Sequence, residues 1–290
     1  NALVAAGVSG EVVATLDPNP AVAGGGLDVL ADAGIGVRLG VRRHEAEQDL
    51  AGHLSRMRRK RPHVTLKLAV AADGAIGRRG EGQIAISCPA SGRHVHLLRA
   101  ENDGIAVGVG TVLSDDPTLT CRLPGMFARS PHRIVLDTEA RTPPTAKLFD
   151  AVAQVPVIIV VGIGADTARV EALEDAGADV IAVSRTGRHV ELHAALNALG
   201  GLGLTRILAE GGAAVAGALA AAGLIDEAYV ITAAKRVGGT PVRPFDGHAI
   251  SALRPQLPVM ERTLVEADVW THMLPPCSPA SSQTLAASQA

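Results

Sequence analysis

The chain reads as an α/β protein: a mostly parallel sheet with helices covering both faces. Three observations lead there. Short apolar runs such as Ile105–Val109 and Val155–Val161 read as buried strands. Helical patterns separate these runs with the alternation of βα units. Glycines stand where strands hand over to helices, at Gly108 and Gly110 and again at Gly211 and Gly212, where the missing Cβ lets a ligand approach the backbone.

Composition narrows the function classes. At 290 residues and 47% hydrophobic, the chain can bury one large core or two smaller ones. A net charge of −2, from Lys+Arg 27 against Asp+Glu 29, gives no global field for nucleic acid. Aromatics at 2% argue against base-stacking platforms and aromatic cages. No apolar run reaches membrane-spanning length, and the amino terminus carries no signal-peptide pattern. Cys88, Cys121 and Cys277 show neither pairing nor metal spacing, so a reducing cytoplasm is expected. The first residue is asparagine, and the chain reads as a processed or truncated piece.

Ala2–Ala6 reads as the end of a helix, Glu11–Leu16 as a strand, Leu27–Ala33 as a helix closed by Gly34, and Ile35–Val41 as a second strand. This βαβ fragment is too small to hold a core alone. Arg43–Arg61 reads as one basic helix ending in Arg56-Met57-Arg58-Arg59-Lys60-Arg61. Such a run fits nucleic-acid contact or a solvated connecting helix, and the scarcity of aromatics favours the second. Pro62 marks a boundary. Beyond it come strand His63–Ala71, a helix near Ser91–Glu101, and strands Ile105–Val109, Arg133–Asp137 and Val155–Val161. Helix Asp166–Ala176, strand Asp179–Val183, helix Val190–Leu199, strand Arg206–Ala209, helix Ala213–Ala222 and strand Glu227–Ala233 continue the alternation. Asp268–Met273 reads as an antiparallel edge strand, and residues 275–290 as a disordered tail.

Ligands of open α/β sheets gather beyond the carboxyl ends of the strands, so residues there are the site candidates. The segment Gly104–Arg122 has a strand end with glycines, then Thr111 as the expected N-cap, then Asp115-Asp116-Pro117 and Arg122. This is a nucleotide-site layout; a tight strand–helix turn with solvent-facing charges fits it as well. Lys67 interrupts an otherwise apolar strand, a costly position for a charge without a partner. Glu210-Gly211-Gly212 repeats the glycine-rich handover, and Glu210 there either accepts from a ligand or complements the helix dipole. His94 and His96 share a helix but not a face, and read as exposed or capping residues. Gly-x-Ser-x-Gly and Walker A elements are absent.

Several strings resemble one family. They are Arg61-Pro62-His63-Val64-Thr65-Leu66-Lys67-Leu68-Ala69, Asp73-Gly74, Leu97-Leu98-Arg99-Ala100, Gly110-Thr111-Val112-Leu113-Ser114-Asp115-Asp116-Pro117-Thr118-Leu119-Thr120, Arg133-Ile134-Val135-Leu136-Asp137 and Glu210-Gly211-Gly212. In order and spacing, from Arg61 to about Met273, they resemble the reductase domain of the bifunctional riboflavin-biosynthesis deaminase/reductase. Residues 1–61 look like the carboxyl part of that family's cytidine-deaminase-like zinc domain, and 62–274 like its reductase domain. The resemblance implies a dihydrofolate-reductase-like fold that uses NADPH to reduce the ribosyl group of 5-amino-6-(5-phosphoribosylamino)uracil to ribityl.

Carried over by position, Arg99, Leu119, Arg122 and Gln83 would hold the phosphorylated substrate, with Lys67 and Glu210 at the reacting centre. Ala69, Ala85, Thr111, Asp115, Thr138, Gly211 and Gly212 would line NADPH. Ser184-Arg185-Thr186 and Arg188 either meet a 2′-phosphate or form a solvated loop. A homodimer is expected, with no nucleic-acid or membrane partner. Two departures stand out. Gln83-Ile84-Ala85 replaces the family's serine- and tryptophan-bearing loop, which motivates a second reading, a nucleotide-binding paralogue with weakened catalysis. The zinc elements His-x-Glu and Pro-Cys-x-x-Cys are absent, so zinc and deamination are expected only with an upstream half.

Overall fold

The computed structural model describes residues 1–22, 24–82, 84–276 and, for the backbone, 283–285. Its contacts divide it into two units, with one boundary between Lys60 and Arg61.

The smaller unit holds α1 (Ala2–Ala5), β1 (Gly10–Val13), α2 (Gly25–Asp32), β2 (Gly36–Leu39), α3 (Arg43–Asp49) and α4 (Ala51–Arg59). β1 and β2 pair in parallel, as the βαβ pattern requires. Leu30, Ile35 and Val37 form its small core. The single helix expected over Arg43–Arg61 is two. Leu50 leaves helical geometry at φ −90° and ψ 9°, and Arg58 reaches back to Glu47 at 3.3 Å. In one straight helix those residues would stand about 16 Å apart along the axis, so the bond requires the bend.

The larger unit carries β3 (His63–Val70), β4 (Gly77–Arg78), α5 (Pro89–Ala100), β5 (Gly104–Gly108), α6 (Val109–Asp115), β6 (His132–Leu136), β7 (Val157–Gly162), α7 (Thr167–Asp175) and β8 (Ala178–Val183). β9 (Arg185–Thr186), β10 (His189–Val190), α8 (Leu192–Gly201), β11 (Arg206–Ala209), α9 (Ala213–Ala221), β12 (Glu227–Ala233), β13 (Pro241–Val242), α10 (Ala249–Leu253), β14 (Val259–Val265) and β15 (Asp268–Leu274) complete it. The main sheet runs β14-β15-β12-β3-β11-β5-β6-β7-β8. From β12 to β8 every pairing is parallel.

Both faces are buried, because successive residues enter different cores. Ile105, Val107, Val135 and Ile159 join one apolar cluster, while Ala106, Ile134 and Ile158 join the other. This is the mostly parallel α/β sheet, covered on both faces, that the sequence pattern predicts.

Some expectations change. Asp268–Leu274 is antiparallel but internal, since β14 pairs with its outer side and forms the edge. Thr111 is not an N-cap. Gly108 occupies that position, extended at φ −84° and ψ 154°, and Thr111 sits in the first turn of α6. The tail read as disordered contributes β16 (Gln283–Leu285), which pairs antiparallel with the edge of β2 that β1 leaves open. Arg61 is no solvated end of a basic run: it is 7% exposed and grips Asp226 through Nη1 and Nη2 at 2.5 and 2.9 Å.

Candidate active site

Sheet order decides where the site forms. β3, β11 and β5 are neighbours, although Lys67 and Glu210 stand 143 positions apart in the chain. The carboxyl ends of those strands therefore bring Lys67, Glu210 and Gly108 to one cavity of about 1200 Å³. α5 contributes Arg99 to the same cavity, and the segment after α6 contributes Arg122.

Glu210 is the electrostatic centre. Arg99 donates from Nε to Oε1 at 2.7 Å and from Nη2 to Oε2 at 3.1 Å, and Lys67 Nζ donates to Oε2 at 3.4 Å. Arg99 Nη1 also donates to the Thr120 carbonyl at 3.0 Å, tying α5 to the segment that leads to Arg122. Burial pushes the Glu210 carboxyl up, but the Arg99 and Lys67 charges outweigh it and hold its pKa at about 2. The costly lysine of β3 is thus satisfied by a buried carboxylate, and Glu210 presents an occupied acceptor pair rather than a free base.

The two glycine handovers make an anion-ready wall. Gly108 and Gly212 are the N-cap residues of α6 and α9, both without a side-chain cap, so first-turn amides remain available. A Cβ at Gly110 would meet no atom within 4 Å, and one at Gly212 would meet only Thr111 Oγ1, at 3.8 Å. Gly211 is different: a Cβ there would stand 2.7 Å from Val215 Cβ, so this glycine serves the packing of α9. The paired acids divide their work. Asp115 lines the cavity, whereas Asp116, at φ 42°, takes the Lys147 backbone N–H at 2.8 Å.

Of the sequence candidates, Lys67, Ala69, Ala85, Arg99, Thr111 and Asp115 line this cavity, as do Leu119, Arg122, Glu210, Gly211 and Gly212. Leu119, at φ 54°, packs in the core and also borders the cavity. Gln83 lies outside the described residues. Thr138 does not reach the cavity: its Oγ1 accepts the buried Val190 N–H at 3.0 Å. Arg185 is likewise committed, pairing with Glu139 and donating from Nε to the Ile163 carbonyl at 2.9 Å, and it does not line the cavity.

The sequence reading missed His96. It lines the cavity one helical turn before Arg99, and that i, i+3 spacing was the available signal. It also missed the roof, where β4 pairs with β13 and Lys235 Nζ donates to the Ala85 carbonyl at 2.8 Å. Among the described residues, no group of three or more His, Cys, Asp or Glu side chains could hold a metal ion. None of the described helices is long and apolar enough to cross a membrane.

The sheet and the cleft at its strand ends define an α/β protein built on a mostly parallel sheet. The chain belongs to the RibD C-terminal domain family, whose model matches residues 62–269. It is 35% identical to the riboflavin biosynthesis protein RibD of Bacillus amyloliquefaciens over 82% of its own length and 63% of that protein's. It therefore spans less than two thirds of that relative. It is 38% identical to the 2,5-diamino-6-ribosylamino-4(3H)-pyrimidinone 5′-phosphate reductase of Methanothermobacter thermautotrophicus, over 67% of this chain and 88% of that one. The solved structure of Acinetobacter baumannii RibD, form 1, matches 95% of this chain and 75% of that one, with a TM-score of 0.78 and 27% identity.

Proposed function

We propose that the chain is a nicotinamide-dependent reductase of a phosphorylated ribosylaminopyrimidine in riboflavin biosynthesis, with NADPH as the preferred reductant. The observation that carries this reading is the convergence of the Lys67–Glu210–Arg99 cluster and two uncapped helix starts on one cavity.

The residues present fit the cofactor. Thr111 and the Gly211–Gly212 turn would hold its phosphates against backbone amides, while Ala69, Ala85 and Asp115 would line the rest of it. When bound, the cofactor supplies a hydride to ribose C1′ of the opened sugar. The chain's own contribution is placement and charge. Glu210 stays ionised and fixes the Lys67 ammonium and the Arg99 guanidinium in one geometry. Lys67 Nζ is the proton-bearing group placed to bind a sugar oxygen as it gains charge, and Arg122 offers a cation to the phosphate. Arg185 and Thr138 are committed elsewhere, so the preference for NADPH over NADH rests on the family relationship.

Residues 1–61 are proposed to be the carboxyl part of a deaminase domain, and no zinc is assigned to the described residues. Assembly as a homodimer and a cytoplasmic location belong to the same proposal.

Purified protein mixed with NADPH and either 5-amino-6-(5-phosphoribosylamino)uracil or the 2,5-diamino-pyrimidinone phosphate tests the reading. Oxidation of NADPH with formation of a ribityl product is expected, and the faster of the two substrates identifies the ring that is accepted. NADH used as efficiently as NADPH would overturn the cofactor preference. Tight NADPH binding without turnover of either substrate would favour the weakened paralogue.

A further inference from the structure

His96 neighbours Arg99, one turn further along α5, and Arg122, two of the arginines that line the cavity, and its surroundings determine its chemical state. Its Nδ1 accepts the backbone N–H of Arg122 at 3.3 Å, and its own carbonyl accepts from Cys121 Sγ at 3.3 Å. The ring therefore anchors the segment that carries Arg122. A ring nitrogen that accepts a hydrogen bond holds no proton, so the imidazole proton is on Nε2. Burial comes first in holding the His96 pKa below its ordinary value, followed by the Arg99 and Arg122 charges. Glu210 and the Thr120 backbone act in the opposite sense without reversing the shift. The neutral ring thus carries one donor in a cavity it lines, and the Thr120 backbone carbonyl is an acceptor within reach that a bound anion would replace. Arg122 is exposed beside it, and among the described residues its guanidinium has neither a hydrogen bond nor an ion pair.

We propose that His96 is a further ligand of the substrate's phosphate, donating from Nε2 to a phosphate oxygen while Nδ1 fixes the backbone of Arg122. The inference rests on the proposed function only in taking the substrate to be phosphorylated. A neutral donor next to a guanidinium suits a phosphate dianion, because it adds a directed hydrogen bond without a third cation that would repel Arg99 and Arg122. It also explains why α5 presents His96 and Arg99 together. One turn of helix supplies the phosphate donor and the cation that Glu210 fixes.

Two substitutions separate the roles of the ring nitrogens. In His96→Asn the amide oxygen takes the place of Nδ1 and the outer donor is lost; in His96→Gln the amide nitrogen takes the place of Nε2. Inorganic phosphate, titrated while the imidazole 15N signals are followed by NMR, tests binding without any turnover. The unsubstituted ring should report the Nε2–H tautomer and shift on titration. Phosphate affinity should fall about tenfold in His96→Asn and return most of the way in His96→Gln.

Steady-state kinetics with NADPH, using substrate with and without its 5′-phosphate, give the second readout. His96→Asn should raise KM about tenfold for the phosphorylated substrate alone, with kcat and the NADPH dissociation constant retained. Unchanged phosphate affinity in His96→Asn, or equal rises in KM for both substrates, overturns the proposal. Absence of turnover by the unsubstituted protein would instead count against the proposed function, and the phosphate titration would still decide the role of His96.

Discussion

Arg99 and Glu210, 111 positions apart in the chain, form a two-point ion pair at 2.7 and 3.1 Å on the floor of the cavity. Both side chains are largely buried, at 12% and 9% exposure, so the pair is neither a surface bridge nor free to exchange for water. Lys67 completes it from the adjacent strand. Because the carboxylate serves two cations, it is the group whose removal should disturb the site most.

Glu210→Gln should leave two partly buried cations without their counter-charge, a loss on the order of 3–5 kcal/mol when one partner of a buried pair is removed. The pH dependence follows from the direction of the shift. The folded pKa lies at about 2, below the ordinary 4.5, so the ionised carboxylate stabilises the fold above pH 4.5, and that contribution fades as pH falls toward 2. Urea midpoints measured across this range should fall more steeply for the unsubstituted protein than for the variant. Parallel curves would remove Glu210 from the acid response.

Lys67→Met keeps the length and apolar stem of the side chain but removes the Nζ donor. The strand should still form, since its neighbours Leu66 and Leu68 are buried in the core. A fall of about a hundredfold in kcat/KM is expected, as for removal of one preorganised donor from a reacting centre. Cofactor titration by fluorescence should give an unchanged NADPH dissociation constant. A proportionate loss of cofactor affinity would move Lys67 from the reacting centre to the cofactor.

Arg122→Ala should weaken the phosphorylated substrate far more than the cofactor, by about 2–4 kcal/mol in transition-state binding. Arg122 is exposed, so folding should be unaffected. Kinetic and cofactor-binding measurements on the same preparation give the comparison. Equal losses for both ligands contradict the assignment of Arg122 to the substrate.

Gly212→Ala tests the anion wall. The residue lies at φ −69° and ψ −178°, ordinary for any amino acid, and the new Cβ meets only Thr111 Oγ1, at 3.8 Å. The thermal midpoint should therefore stay within about two degrees. NADPH affinity should drop about tenfold, because the methyl group takes the space between two open helix starts. A marked fall in stability with cofactor affinity intact would make Gly212 a packing residue, as Gly211 is.

Much of this was legible in the sequence. Apolar runs and helical spacing located the strands of the parallel sheet, because two-sided burial leaves a local composition signal. The strings around Lys67, Thr111 and Glu210 marked residues that line one cavity. β14 escaped because its polar Glu261, Arg262 and Thr263 belong to an exposed edge, which needs no apolar pattern. The break at Leu50 escaped because the residues on both sides of it are helical in pattern, and only the fold shows Arg58 returning to Glu47.

What the sequence determined by itself was the class of sheet and the residue types at its strand ends, both consequences of short-range patterning. Only the tertiary structure decided which strand ends meet. The order β3-β11-β5 joins Lys67 to Glu210, and α5 delivers Arg99 and His96 beside them. It also decided which candidates are already spent, Thr138 on Val190 and Arg185 on Glu139. The physical reason is that strand order and side-chain pairing depend on contacts between residues far apart in the chain, and local spacing carries no record of them.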